Sequence, residues 1–238
     1  MEIDPSDRSA LDRMVTELQE LHNDALLAVA LTGDAIGPTY RPRKTLLTTV
    51  VVLEEVTPEA LRRTRDLIRR WRRRHIPVPI LMDPRYIESS LDVFPIEFID
   101  FADRHLLLFG ESDPFSDLKF DMDHLRLEVE EQLRGKMLHL WSAYLSTHGS
   151  QKNLRALLLE TPAGFEIILR GMARLRDPSA TESPVDAIEH SFEIELPTFH
   201  RLIGLRSGQG SMANDELEDT FGAYLGEVHR LVHLTDEH

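Results

Sequence analysis

The chain contains no cysteine, which excludes disulfides, thiolate metal sites and cysteine nucleophiles. No apolar run approaches the roughly 20 residues that a membrane-spanning helix needs. The N-terminal stretch MEIDPSDRSALDRM is acidic and polar, unlike the basic and then apolar layout of a signal peptide, so a cytoplasmic location is the expectation. Positive charge is also scarce, with 27 Lys and Arg against 41 Asp and Glu and a net charge of −14. A field of that sign repels polyanions at long range and argues against a general nucleic-acid binder. Among motifs, the Walker A loop, the Rossmann glycine fingerprint, HExxH and the Gly-x-Ser-x-Gly elbow are all missing. Internal repeats and low-complexity tracts are missing too.

What is present is ordinary globular material: 238 residues, 42% apolar and 29% charged, long enough for one large domain or two small ones. The stretch that organises the chain is 26–55, LLAVALTGDAIGPTYRPRKTLLTTVVVLEE. Two apolar runs, 26–31 and 46–53, read as buried strands. Between them lies a loop with Gly33, Gly37, Pro38 and Pro42 and the basic residues Arg41, Arg43 and Lys44. A strand, a glycine turn and a basic loop form a layout suited to a phosphorylated ligand. The second run carries no carboxylate until Glu54.

Before this stretch, Asp4 and Pro5 open a helix with Leu11, Met14, Val15, Leu18 and Leu21 at helical spacing. After it, Thr57 and Pro58 open a second helix that carries eight arginines between Arg62 and Arg74. Arginines crowded toward a helix C-terminus suit its dipole, and a solvated basic face is the plain reading. An anionic partner is the alternative. Pro77 and Pro79 confine the next apolar run, ending at Met82, to a strand start or an edge. Residues 95–101, PIEFIDF, alternate as a strand that would place Glu97 opposite Ile96 and Phe98. A further apolar run closes at Gly110.

Beyond Asp117 the pattern becomes helical over 121–147, 151–176, 184–205 and 214–234, with Pro162 and Pro197 expected to kink or split the second and third segments. Leu125, Leu127, Val129, Leu133, Met137, Leu138, Trp141 and Leu145 form a broad apolar stripe in the first. The expected fold is therefore an α/β domain with a mixed sheet over 1–115, followed by a bundle of at least four helices over 116–238.

The N-terminal half resembles the nucleotidyltransferase superfamily typified by DNA polymerase β and kanamycin nucleotidyltransferase. Ala28-Val29-Ala30-Leu31-Thr32-Gly33-Asp34 stands where that family has its Gly-Ser element, with Gly33 at the glycine and Asp34 at the serine. The run 45–53 stands where the family carries its Asp-x-Asp, which places Leu46 and Thr48 at the two metal positions. Glu97 is the best candidate for the third acid. The stretch 92–110, and its continuation through His124-Leu125-Arg126 and Glu131-Gln132-Leu133-Arg134-Gly135-Lys136, is similar to a branch of bacterial nucleotidyltransferase-like proteins.

Nucleotidyl transfer generally uses two Mg²⁺ ions held by clustered carboxylates. Leucine offers no ligand and threonine only a neutral hydroxyl. The resemblance thus implies a pseudoenzyme without cofactor, binding a nucleotide, a small anionic ligand or a partner protein. Gly33, Asp34, Arg41, Arg43 and Lys44 are the expected ligand contacts. Two alternatives stand beside it: an active Mg²⁺-dependent transferase with displaced carboxylates, and an assembly protein that dimerises through its helical bundle.

Overall fold

The computed structural model describes residues 3–37, 40–177 and 183–236; Pro38 of the expected loop lies outside them. The described chain forms two compact units, one made of Met1–Leu91 and Asp100–Lys119, the other of Asp92–Ile99 and Phe120–His238. The second unit therefore includes a short segment, 92–99, drawn from within the first unit's stretch of chain.

In the first unit, α1 (Pro5–His22) starts at Asp4, whose carboxylate accepts the Ser6 N–H at 2.9 Å. The strands are β1 (Leu26–Thr32), β2 (Thr48–Leu53), β3 (Ile80–Met82) and β4 (His105–Phe109). Their order is β3-β2-β1-β4, with β1 antiparallel to β2 and β4 and β2 parallel to β3. The sheet is thus mixed, and β3 lies at its edge, where prolines are tolerated because no neighbour needs their missing N–H.

Helix α2 (Pro58–Arg72) is capped by the Thr57 hydroxyl and packs with α1 on one face of the sheet. Leu11, Met14 and Leu18 of α1, Val29 and Leu31 of β1, Val51 and Leu53 of β2 and Trp71 of α2 make one apolar core. Glu17 on α1 anchors α2, taking Arg70 Nη1 on one oxygen and Trp71 Nε1 on the other, each at 2.7 Å. Burial alone would raise the Glu17 carboxyl, but these two donors hold it below the usual range. Helix α3 (Pro84–Ser90) follows, capped by Asp83.

The segment expected as a strand around Glu97 is instead a helix, α4 (Pro95–Asp103). Seven residues of alternation cannot separate a strand from a short buried helix. Pro95 suits the first helical turn, and the buried pair Ile96 and Ile99 follows the helical repeat. The decisive term is tertiary: Glu128 accepts the Ile96 N–H at 2.9 Å, satisfying a donor that the helix start leaves open.

The second unit also holds α5 (Met122–Leu145), α6 (Gln151–Arg176), α7 (Pro184–Phe192), α8 (Pro197–Arg206) and α9 (Leu217–Asp236). Pro197 does divide the third helical segment, whereas α6 runs without a break through Pro162. The apolar stripe of α5 is only partly used. Leu125, Val129 and Leu133 are buried, while Leu127, Leu138, Trp141 and Leu145 are exposed; Leu140, outside the stripe, is buried as well. Phe165, Phe199 and Tyr224, from α6, α8 and α9, meet edge to face with centroids 5.0 to 6.1 Å apart, a favourable arrangement of ring quadrupoles. Among the described residues, no helix is long and apolar enough to cross a membrane.

Candidate functional site

Strand β1 ends at Thr32, which faces Thr48 on β2 and His105 on β4. Gly33 then turns the chain with φ +72°, a conformation that favours glycine, into a short 3₁₀ turn over Gly33–Ile36. A Cβ built on Gly33 would lie 3.8 Å from Thr48 Cβ. The glycine and the threonine that the sequence singles out are therefore neighbours. Approaching β2, exposure alternates: Leu46 is 57% exposed, Leu47 is fully buried and Thr48 is half-buried. Leu46 and Thr48 share the open side, and Leu47, whose N–H donates to the His75 carbonyl at 2.8 Å, enters the core. Asp34 is exposed.

Arg41, Arg43 and Lys44 are all exposed in the intervening loop, but they differ in setting. Arg43 has φ +59°. Its N–H donates to Asp7 Oδ2 at 3.0 Å and its Nε to Ser6 Oγ at 3.0 Å. The Tyr40 hydroxyl donates to the same Asp7 oxygen at 2.8 Å and accepts the Asp4 N–H at 3.1 Å. Burial, reinforced by the Asp7 and Asp4 charges, pushes the Tyr40 phenol up. Buried Asp7 thus pins the loop to the first turn of α1.

Arg43 lines a cleft of 340 Å³ together with Ser6, Asp7, Arg13, Arg74 and His75. Arg74 Nη1 is shut off from solvent and has no hydrogen-bond partner, an expensive state for a guanidinium N–H. Three arginines thus border one cleft, and a guanidinium is the side chain best shaped for paired contacts with anionic oxygens. Sequence reasoning missed Arg13, Arg74 and His75 here, because they come from α1 and from the end of the arginine run. The faint signal was that run's position just before the third apolar run. Arg41 and Lys44 do not line this cleft.

Two of the carboxylates that could replace the missing pair are otherwise engaged. Asp83 caps α3 and takes the Val56 N–H at 3.3 Å. Asp100 is paired with Arg104. His105 beside Thr32 has both ring nitrogens against acceptors, the Phe101 carbonyl and Asp113, each at 2.7 Å, so neither points to an incoming substrate. Among the described residues, three metal-competent side chains gather at Asp186, Glu189 and His200, which lie on α7 and α8 of the second unit. A leucine, a neutral hydroxyl and one exposed carboxylate do not fit a pair of Mg²⁺ ions, which require clustered anionic oxygens.

Glu97 belongs with the second unit, exposed on the first turn of α4 and not on a strand. Its neighbour is Glu128 of α5, which burial, and then the nearby Glu97 carboxylate, raise to about 7. The Ile96 N–H opposes this, without prevailing. A carboxyl raised above its unfolded value of 4.5 contributes stability that is full below that value and lost as pH rises through about 7. Wild-type protein is therefore expected to lose stability between pH 5.5 and pH 8 more steeply than Glu128→Gln, which keeps an acceptor for Ile96 but does not ionise. Urea midpoints at the two pH values measure this, and equal slopes for both proteins would refute it.

No family model matches the chain, and no curated protein matches it. Among solved structures, it is similar to spectinomycin adenyltransferase from Enterococcus faecialis, crystallised with ATP and spectinomycin. The TM-score is 0.54 at 11% identity, covering 93% of this chain and 98% of that one. Identity that low speaks for architecture alone. The chain has the nucleotidyltransferase fold, a mixed-sheet α/β unit with a helical unit, across nearly its whole length.

Proposed function

We propose that this chain is a non-catalytic binding protein on a nucleotidyltransferase scaffold, taking a nucleotide or a comparable anionic small ligand. The observation that carries the reading is the pair at the mouth of β2. Leu46 and Thr48 stand on the open side next to Gly33, where the family resemblance calls for two metal-binding aspartates. Without anionic ligands there, charge developing on a transferred phosphoryl group has no metal to neutralise it. Recognition falls instead to cationic side chains, and Arg13, Arg43 and Arg74 around one cleft supply them.

The test is calorimetric titration of ATP into the full chain, with Mg²⁺ and with EDTA. Affinity is expected to change by less than about twofold with Mg²⁺, and Arg43→Ala is expected to weaken it by about five- to tenfold, the loss of one charge-assisted contact. Binding that requires Mg²⁺, or transfer of a nucleotidyl group to an acceptor, would sink the proposal.

A further inference from the structure

Helix α2 and the segment after it enclose a second, larger depression of 610 Å³. Leu61, Arg65, Ile68, Arg69 and Arg72 line it from the helix, at spacings of four, three, one and three that keep them on one face. Val78 and Leu81 line it from the edge of the sheet. Leu61 is 48% exposed and Val78 60%, so the floor is open apolar surface rather than core.

The arginines around this floor differ from two others on the same helix. Arg70 is committed to Glu17 and Arg62 to Glu59. Arg65 has only a 3.5 Å contact with Asp66, both ends largely exposed, which is worth little. Arg69, Arg72 and Arg73 make no ion pair or side-chain hydrogen bond among the described residues. In a chain of net charge −14, uncompensated positive charge around exposed leucine and valine is out of keeping with the rest of the surface. Dipole matching accounts for basic residues in the last turn, but not for an apolar groove between them and the sheet edge.

We infer that this groove is a docking surface for an acidic polypeptide segment of a partner protein. The partner's apolar side chains would sit on Leu61, Ile68 and Val78, and its carboxylates would pair with Arg69, Arg72 and Arg73. Charge complementarity selects an anionic partner, and the apolar floor selects one that also has apolar side chains. Nucleic acid fits less well. The lining has no aromatic ring on which a base would stack.

The probes are a fluorescent peptide with leucines three and four residues apart in a glutamate-rich background, an oligoglutamate of equal charge and an oligouridylate of equal charge. Each is titrated into the full chain by fluorescence anisotropy at physiological salt. The amphipathic peptide is expected to bind at least tenfold more tightly than either control. Arg69→Glu/Arg72→Glu is expected to weaken it at least tenfold, as is Leu61→Ser/Val78→Ser, with thermal melting unchanged because all four side chains are exposed. Oligouridylate or oligoglutamate binding as tightly as the peptide would overturn the inference. So would failure of the peptide to bind, or binding indifferent to both double substitutions.

Discussion

Replacing Glu227 with alanine is expected to destabilise the second unit by about 3–5 kcal/mol, among the largest single-residue effects in the chain. Helix α8 begins at Pro197 after Leu196, which has no side-chain oxygen to cap it and makes no capping bond. The open donors of its first turn are answered from α9. Glu227, almost completely buried, takes the Thr198 N–H on one carboxylate oxygen at 2.8 Å and the Phe199 N–H on the other at 2.9 Å. A carboxylate at a helix N-terminus is favoured by the dipole as well as by the hydrogen bonds. Alanine leaves two buried donors without partners and a void beside Phe199, and both penalties apply. Glu227→Gln retains one acceptor but turns an NH₂ toward an N–H, so it falls between the two. Urea unfolding followed by circular dichroism measures the series, and a loss below about 1 kcal/mol for alanine would show that water replaces the cap.

In the first unit the largest effect is expected at Gly110, where alanine should cost about 3 kcal/mol or more. The residue closes β4 with φ +134°, a region almost reserved for glycine. A Cβ there would lie 2.9 Å from the Leu27 carbonyl oxygen, 3.2 Å from Ala28 Cβ and 3.3 Å from the Ser112 carbonyl oxygen. Two of those atoms are backbone and cannot swing aside. Gly33→Ala provides the contrast. Its φ of +72° costs alanine about 1–2 kcal/mol, but the nearest atoms, at 3.8 and 3.9 Å, are in ordinary contact. Comparing the two variants by thermal melting separates a glycine required by packing from one required by its turn alone. Equal losses would contradict the argument.

This contrast bears on function. The glycine of the nucleotidyltransferase-like turn is the sterically relaxed one, and the residue across from it is Thr48, small and neutral. Among the described residues, a Cβ on Gly33 would meet only Thr48, at ordinary contact distance, and Leu46 beyond it offers no metal a hold. Buried Asp7 ties the loop that follows to α1, acting on Tyr40 and Arg43. Arg43 therefore both closes the loop and lines the basic cleft.

Several elements were legible in the residues because their causes are local. Asp4-Pro5 and Thr57-Pro58 announce helix starts through caps and first-turn prolines, and the structure begins α1 and α2 there. The β1–β2 hairpin follows from two apolar runs around a glycine turn. Pro77 and Pro79 placed the third strand at an edge, where β3 lies. Pro197 was readable as a break and Pro162 was not a break at all, because proline's local cost can be absorbed in a long packed helix.

What the sequence by itself determined, then, is the alternation of strands and helices, the glycine turn with its basic loop, and the absence of carboxylates at the start of β2. These depend on residues close together in the chain, where periodicity, capping and side-chain chemistry act directly. Tertiary structure alone decided that 95–103 is a helix, that half of the α5 stripe faces outward, and that Arg13, Arg43 and Arg74 share a cleft. It also decided that Glu128 and Glu227 cap helices about 30 residues away in sequence. The helix at 95–103 and the two caps share one physical reason. A buried N–H or charge must find a partner wherever packing brings one, and that partner's distance along the chain leaves no mark in local pattern.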